Sequence, residues 1–591
     1  MAWQRTTVAA ATAFACACGN PTAPASDDAT TATDVIEACA GGRFRCFALA
    51  RAMTLDTPSG YAPLDLQSAY AVDVSRTVDA TVAVVDAYGY PMLEGDLAAY
   101  RGQFGLPPCT VANGCLTILN QDGETSPLPD PPPAGDDWTI ETALDVDMAS
   151  AGCPSCKILV VQADDDGGDG LDVANDVAAA SGATVISNSW GGAEGPPSTD
   201  SHFTHPGIAI FASTGDGGYE GSDAIYPASS ANVIAVGGTS LERDPLTQRG
   251  WRELAWDGAG AGCSASIAKP SWQTSSACAT RMIGDVSAVA APATGVAVSH
   301  GGGWTVVGGT SASSPLVAAI FAQTGHGAAT PELSYDEPAA FFDVTSGTDG
   351  VCGTVLCSAA IGWDGPTGNG TPNGAVLIGA RAPTLAIARP FPGQVVPPGF
   401  TVDAECTSND AATVADVEFN VGTVSIGEVT AAPYTISAPP TLPDRGYVIV
   451  VTCTTSSFAQ ATQGVAVTQL PGCTGDADCP DAIDVCYLGA CISGSAGPDG
   501  LGASCLNNTD CDSGECATDG ASKHCIVACE LGADACPAGF ACEQAGSEGA
   551  CWPIDADADL SGGGCDASGH RGSWLGAAVL ALALRRRRRR S

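Results

Sequence analysis

At 591 residues the chain is too long for one domain; its length corresponds to roughly three to four. Its 65 Asp and Glu against 23 Lys and Arg give a formal net charge of −42 at neutral pH, which excludes nucleic acid as a partner. The terminal run Arg585–Arg590 holds a large share of the basic residues, so the remainder is more acidic still, and much of that charge disappears when carboxylates protonate.

Residues 1–18 have one Arg and then an apolar stretch ending in small residues, the pattern of a signal peptide, with Cys18 a candidate for lipid attachment. Residues 19–60 form a short N-terminal segment. From Tyr61 to Arg381 short apolar runs alternate with helical stretches. Thr81–Asp86, Lys157–Ala163, Ala183–Ser187, Ile208–Ala212 and Val233–Val236 have the composition of strands buried on both faces. Helices are expected at Leu171–Ala180 and from Pro315 through Leu316–Gln323, where proline suits a first turn. This alternation predicts an α/β domain over 61–381, a mostly parallel sheet flanked by helices. Residues 382–470 carry strand-length segments with frequent Pro and Gly, and predict an immunoglobulin-like β-sandwich module. Residues 471–554 are a disulfide-rich module with too few apolar residues for a core of its own. Residues 555–591 comprise a linker, the short apolar segment Ser573–Leu584 and the Arg-rich tail. The apolar segment falls short of the ~20 residues that span a bilayer comfortably.

The 27 cysteines indicate an oxidising compartment. Proximity suggests the pairs Cys39/Cys46, Cys109/Cys115, Cys153/Cys156, Cys263/Cys278, Cys352/Cys357 and Cys406/Cys453. Twelve more crowd into Cys473–Cys551 with their connectivity open, and Cys525–Trp552 looks like a second copy of a short Cys-rich unit.

Gly308-Gly-Thr-Ser311-Ala-Ser-Ser-Pro315 sets a serine on a Gly-flanked turn before an apolar helix. The free backbone N–H groups and the positive dipole end there suit an oxyanion. Its proton needs an acceptor, and Glu141-Thr-Ala-Leu-Asp145 sets two carboxylates four residues apart, on one face of an expected amphipathic helix. A shared proton raises one pKa of such a pair. Asp147 lies on another face of that helix. Asp216, in Ala212-Ser-Thr-Gly-Asp216-Gly-Gly directly after a strand, can donate a hydrogen bond only when protonated.

Glu141, Asp145, Asp216 and Ser311, in that order, together with Tyr61–Tyr70 and Ser187-Asn-Ser-Trp-Gly191, resemble the sedolisin family of serine-carboxyl peptidases over roughly 61–381. The resemblance implies a subtilisin-like fold and endopeptidase or tripeptidyl-peptidase activity at acid pH. Ser311 would be nucleophile, Glu141 general base and acid, Asp145 its partner and Asp216 the oxyanion donor. Ser189, Trp190 and Gly191 would run along the substrate backbone. It further implies one calcium ion, held by the carboxylates of Asp343 and Asp364 and the carbonyls of Val344, Ala360 and Gly362. Oxygen-only ligands are what calcium prefers. The Asp164–Asp169 loop is expected to be a solvated connection rather than a second ion site. Most of the family has a large N-terminal prodomain, for which about forty residues before Tyr61 are too few.

The expected product is a monomer, secreted or at the cell surface, acting on proteins or peptides. Its tail resembles myxobacterial surface-sorting signals and would serve envelope attachment. An orthodox subtilase using Asp86 would need a histidine on a following helix, and none of the six histidines offers one. The remaining alternative is a catalytically silent surface-binding or adhesion protein.

Overall fold

The computed structural model describes residues 35–554, except 40, 52–54, 195–196, 246, 391, 423 and short stretches between 482 and 547. The expected signal peptide, linker, apolar segment and arginine tail lie outside the described residues. Two units are distinguished, one ending at Gly472 and one beginning at Cys473.

The first unit is built on a sheet of eight strands: β1 (Thr81–Ala87), β2 (Leu116–Asn120), β3 (Lys157–Ala163), β4 (Val185–Asn188), β5 (Ala209–Ser213), β6 (Ile234–Arg243), β7 (Trp251–Ala255) and β8 (Val286–Val289). Their order is β7-β6-β5-β4-β1-β3-β2, with β8 also paired to β6. All pairings are parallel except β6 with β7. Residues 82–87 of β1 are buried on both faces, as the unbroken apolar run Val82–Val85 requires.

The helices that cover this sheet are α1 (Leu93–Gln103), α2 (Trp138–Gly152), α3 (Gly170–Ala180) and α4 (Thr310–Thr324). Expected amphipathic, α2 is instead buried from Ile140 to Gly152, because it packs against α4, α1 and the sheet together. Small residues make this contact close: a β-carbon on Gly152 would lie 2.7 Å from Ala319 Cβ. Trp138, Leu144, Met148, Leu316 and Phe321 fill the space around it, each burial worth about 1.5–3 kcal/mol.

The helix expected at Pro315 begins at Thr310. Asp216 supplies the reason: its Oδ1 accepts from the Thr310 N–H at 2.8 Å, capping the helix from another loop. Pro315 therefore sits in the second turn, where it has no N–H to give the Ser311 carbonyl.

Residues 384–389, 401–407 and 434–437 form a three-stranded sheet packed on a five-stranded one built from 395–396, 414–421, 424–429, 446–455 and 460–469. The Cys406–Cys453 disulfide joins the two sheets. All six pairs expected from proximity form. In the second unit the twelve cysteines pair as three copies of one pattern, first with third and second with fourth: 473–486 and 479–491, 505–516 and 511–525, 529–542 and 536–551. The last copy thus begins at Cys529, and Cys525 closes the copy before it. No helix of the described residues is long and apolar enough to cross a membrane.

Candidate active site

Ser311 is fully buried in the first turn of α4, behind Gly309 with φ of 92°. A side chain there is excluded twice: the backbone is left-handed, and a β-carbon would lie 1.8 Å from Phe47 O and 2.6 Å from Asp216 Oδ2. Asp216 follows β5 on a turn whose Gly215 also has positive φ, 99°. Its Oδ1 takes both the N–H (2.8 Å) and the hydroxyl (2.9 Å) of Thr310, which leaves Oδ2 buried and unpartnered beside Phe47 O. Burial raises the Asp216 pKa to about 7 despite the Thr310 bonds and the nearby Arg45. At acid pH this oxygen carries a proton to donate.

Glu141 and Asp145 lie one turn apart on α2, both fully buried. Ser189 Oγ donates to Asp145 Oδ1 at 2.7 Å, fixing that carboxyl on the segment after β4. Asp145 Oδ2 and both Glu141 oxygens lack a partner at hydrogen-bond geometry. The Ser311 hydroxyl and the Ala48 N–H still come near enough to Glu141 to temper its pKa. Burial, and then the charge of Asp86, push Glu141 and Asp145 well above the carboxylate range. Asp86, at the end of β1, is the residue that sequence reasoning left out of the site. It has no histidine to serve, but is itself buried, raised to about 7, and joins Glu141 and Asp145 in one carboxyl cluster. The described histidines contact other groups: His300 meets Thr139, His202 and His205 meet Asp176, His326 meets Thr324, and His524 meets Gly502 O.

Residues 44–51 cross this site. Arg45 and Cys46 pair antiparallel with Gly191 and Trp190, and Leu49 and Ala50 with Gly308 and Val307. Ser189, Trp190 and Gly191 thus lie against an extended backbone belonging to the chain itself. Asp147, by contrast, accepts from Ser299 N at 2.9 Å and faces Arg101 and Asp96, on the far side of α2.

Residues 135–340 match the Subtilase family model, and residues 383–451 match that of the Bacterial Ig domain. Over 372 residues the chain is 30% identical to kumamolisin of Bacillus sp. (strain MN-32), covering 56% of this chain and 66% of that one. Over 367 residues it is 28% identical to sedolisin of Pseudomonas sp. (strain 101), covering 54% and 61%. It thus spans slightly under two thirds of the length of these relatives. Among solved structures, Pseudomonas sedolisin with two molecules of pseudo-iodotyrostatin is 25% identical and covers 55% of this chain and 98% of that one, with a TM-score of 0.46.

Beyond α4 the first unit brings Asp343 and Asp364 near each other. Asp343 Oδ2 accepts from Gly362 N and Asp364 Oδ2 from Ala360 N, both at 2.9 Å, while Asp343 Oδ1 is buried without a partner. Burial raises both carboxyls, Asp343 to about 7, and no basic side chain offsets it. Two buried carboxyls with an orphaned oxygen, no cation of their own and carbonyl-bearing loops beside them fit a divalent ion with oxygen ligands. The Asp164–Asp169 loop is instead closed on itself and its neighbours: Asp165 Oδ1 takes the N–H groups of Gly167 and Gly168 at 2.9 Å, and Asp169 pairs with Arg43.

Proposed function

We propose that this protein is a serine peptidase of the serine-carboxyl type, hydrolysing peptide bonds through an acyl-enzyme at acid pH. What carries the reading is the buried cluster of Glu141, Asp145 and Asp86 beside Ser311, at the place where an imidazole would otherwise be needed. Ser311 attacks the substrate carbonyl, Glu141 takes its proton and passes it to the leaving amine, and Asp145 orients and shares charge with Glu141. Protonated Asp216 and the Ser311 N–H hold the developing oxyanion, while the Ser189–Gly191 segment aligns the substrate backbone. An endopeptidase is favoured over a tripeptidyl peptidase, because the polypeptide lying in the cleft continues upstream, with Phe44 N donating to Asp166 O at 3.0 Å.

One calcium ion would be held by the carboxylates of Asp343 and Asp364 and the carbonyls of Val344, Ala360 and Gly362, bracing the loops behind the catalytic turn. The peptidase domain is assigned to 61–381, followed by the immunoglobulin-like module at 382–470 and the Cys-rich module at 471–554. The protein is assigned as a monomer, secreted or displayed at the cell surface, its substrates proteins or peptides. Assay of wild type and Ser311→Ala on a denatured protein from pH 3 to 8 tests this function. Acid-limited turnover that vanishes in the variant is expected; a neutral optimum, or turnover kept by Ser311→Ala, overturns it.

A further inference from the structure

Phe44–Leu49 lies in the cleft as a substrate would, and one peptide bond lies among the groups that hydrolysis needs. Phe47 N donates to Ser189 O at 3.2 Å, and Arg45 and Cys46 pair antiparallel with Gly191 and Trp190. The Phe47 carbonyl oxygen accepts from Ser311 N at 3.4 Å and sits beside Asp216 Oδ2, over the position that Gly309 leaves open. The Ser311 hydroxyl lies next to that residue, accepting from Phe47 N and donating to Ser189 O, each at 3.0 Å. On the other side of the bond, the Ala48 N–H faces Glu141. Beyond it, Leu49 and Ala50 pair with the strand leading to Ser311.

From this arrangement we infer that Phe47–Ala48 is the protein's own processing site, cut intramolecularly by Ser311, and that Phe47 marks the preferred substrate class, an aromatic side chain preceding the cleaved bond. The inference rests on the peptidase reading above. In the cut, Ser311 Oγ bonds to the Phe47 carbonyl carbon and its proton moves to Glu141, then to the Ala48 nitrogen as the C–N bond breaks. One water then splits the Phe47 ester, leaving a carboxyl on Phe47, a free amine on Ala48 and Ser311 restored.

The aromatic preference comes from the pocket. The Phe47 ring is buried at 2% exposure against bare backbone: β-carbons on Gly191 and Gly215 would lie 3.1 and 3.6 Å from it. Ile225 lies beside both glycines, and the Arg45 guanidinium is over the ring at 5.6 Å. The Cys39–Cys46 disulfide closes a short loop immediately upstream and brings both sulfurs within 4.8 Å of a Glu141 oxygen. It therefore presents the bond rigidly, and the loop is expected to persist until acid activates the site.

The test uses full-length protein purified at neutral pH, shifted to pH 4 and followed by intact mass and N-terminal sequencing. A new N-terminus at Ala48 is expected, first order and independent of protein concentration, absent in Ser311→Ala and slowed at least tenfold in Phe47→Glu. Should Phe47→Glu not fold, a synthetic Phe-Arg-Ala-Phe-Ala-Leu peptide carries that arm, cleaved after its second Phe at least tenfold faster than its Glu counterpart. Turnover of external protein with Phe47–Ala48 intact overturns the inference and leaves the peptidase reading standing. Cleavage at Ala48 in Ser311→Ala, or at a rate rising with concentration, overturns it too. No turnover of any substrate refutes the peptidase reading itself.

Discussion

Asp216→Asn separates an oxyanion-donating carboxyl from a merely structural one. The substitution retains an Oδ1 to accept from the Thr310 N–H and hydroxyl, at 2.8 and 2.9 Å in wild type, so the cap on α4 survives. It replaces Oδ2, which needs a proton to donate, by an amide N–H that donates at every pH. With the Asp216 pKa at about 7, the protonated fraction falls from ~0.9 at pH 6 to ~0.1 at pH 8. The ratio of variant to wild-type kcat/KM should therefore rise roughly tenfold across that interval, and taking the ratio cancels any titration of Glu141 common to both. Asp216→Ala removes the donor altogether and should cost about 10²–10³ in kcat even at pH 4. The assay is kcat/KM on a chromogenic peptide with Phe before the cleaved bond, from pH 3 to 8.5. A ratio flat between pH 6 and 8 would refute the role, because the proton on Asp216 would then be irrelevant to turnover.

Gly309→Ala places a β-carbon 1.8 Å from where the Phe47 carbonyl oxygen lies and forces φ of 92° on a residue that resists it, so activity should fall at least a hundredfold while near-native circular dichroism is kept. Stability should decline from pH 4 to 7.5 in urea titrations. Asp86 and Asp216 rise from 3.8 to about 7 on folding, so the folded state holds protons that the unfolded state has lost. Their contribution is complete below pH 4 and gone once pH passes 7, with a ceiling of roughly 4 kcal/mol each; stability unchanged or rising over that range would contradict it. Chelation with EDTA should lower the Tm of wild type by several degrees at pH 6 and leave Asp364→Asn, already lower, unmoved; equal shifts in both would remove Asp343 and Asp364 as the ligands.

Much of the sheet was legible because strands buried on both faces leave unbroken apolar runs, as in Val82–Val85 and Ile158–Val161. The Ser311 turn was legible from its glycines, and the Glu141–Asp145 pair from a spacing that a helix turns into adjacency. The start of α4 was not. It depends on Asp216, 94 residues away in sequence, capping Thr310. Nor was the amphipathic expectation for α2 met, since Ala and Gly on its outer faces admit neighbours that a helical wheel does not show. Asp86 carried a visible signal, an acid ending an apolar strand, but its partners arrive only through the β1, β3 and α2 packing. The path of Phe44–Ala50 was hidden for the same reason. Its cue was an apolar Phe-Arg-Cys-Phe-Ala run beside a cysteine pair, in a segment read as lying outside the domain.

Proton count gives the cluster its meaning. Asp86, Glu141 and Asp145 are all fully buried, and the groups acting on them are one another, Asp216, the Ala48 N–H and the hydroxyls of Thr142, Ser189 and Ser311, with no Lys or Arg among them. Three carboxylates without a cation cannot all ionise in such surroundings, because each unpaired buried charge costs several kcal/mol. At least one must keep its proton well above the usual carboxylate range, and Glu141, the one against Ser311 and Ala48 N, is then an acid able to return what it takes. An imidazole base loses its power in acid, whereas this cluster works only while it can still hold a proton. On the proposed peptidase reading, the carboxyls next to Ser311 and an acidic working range would both be consequences of one fact, the burial of like charges.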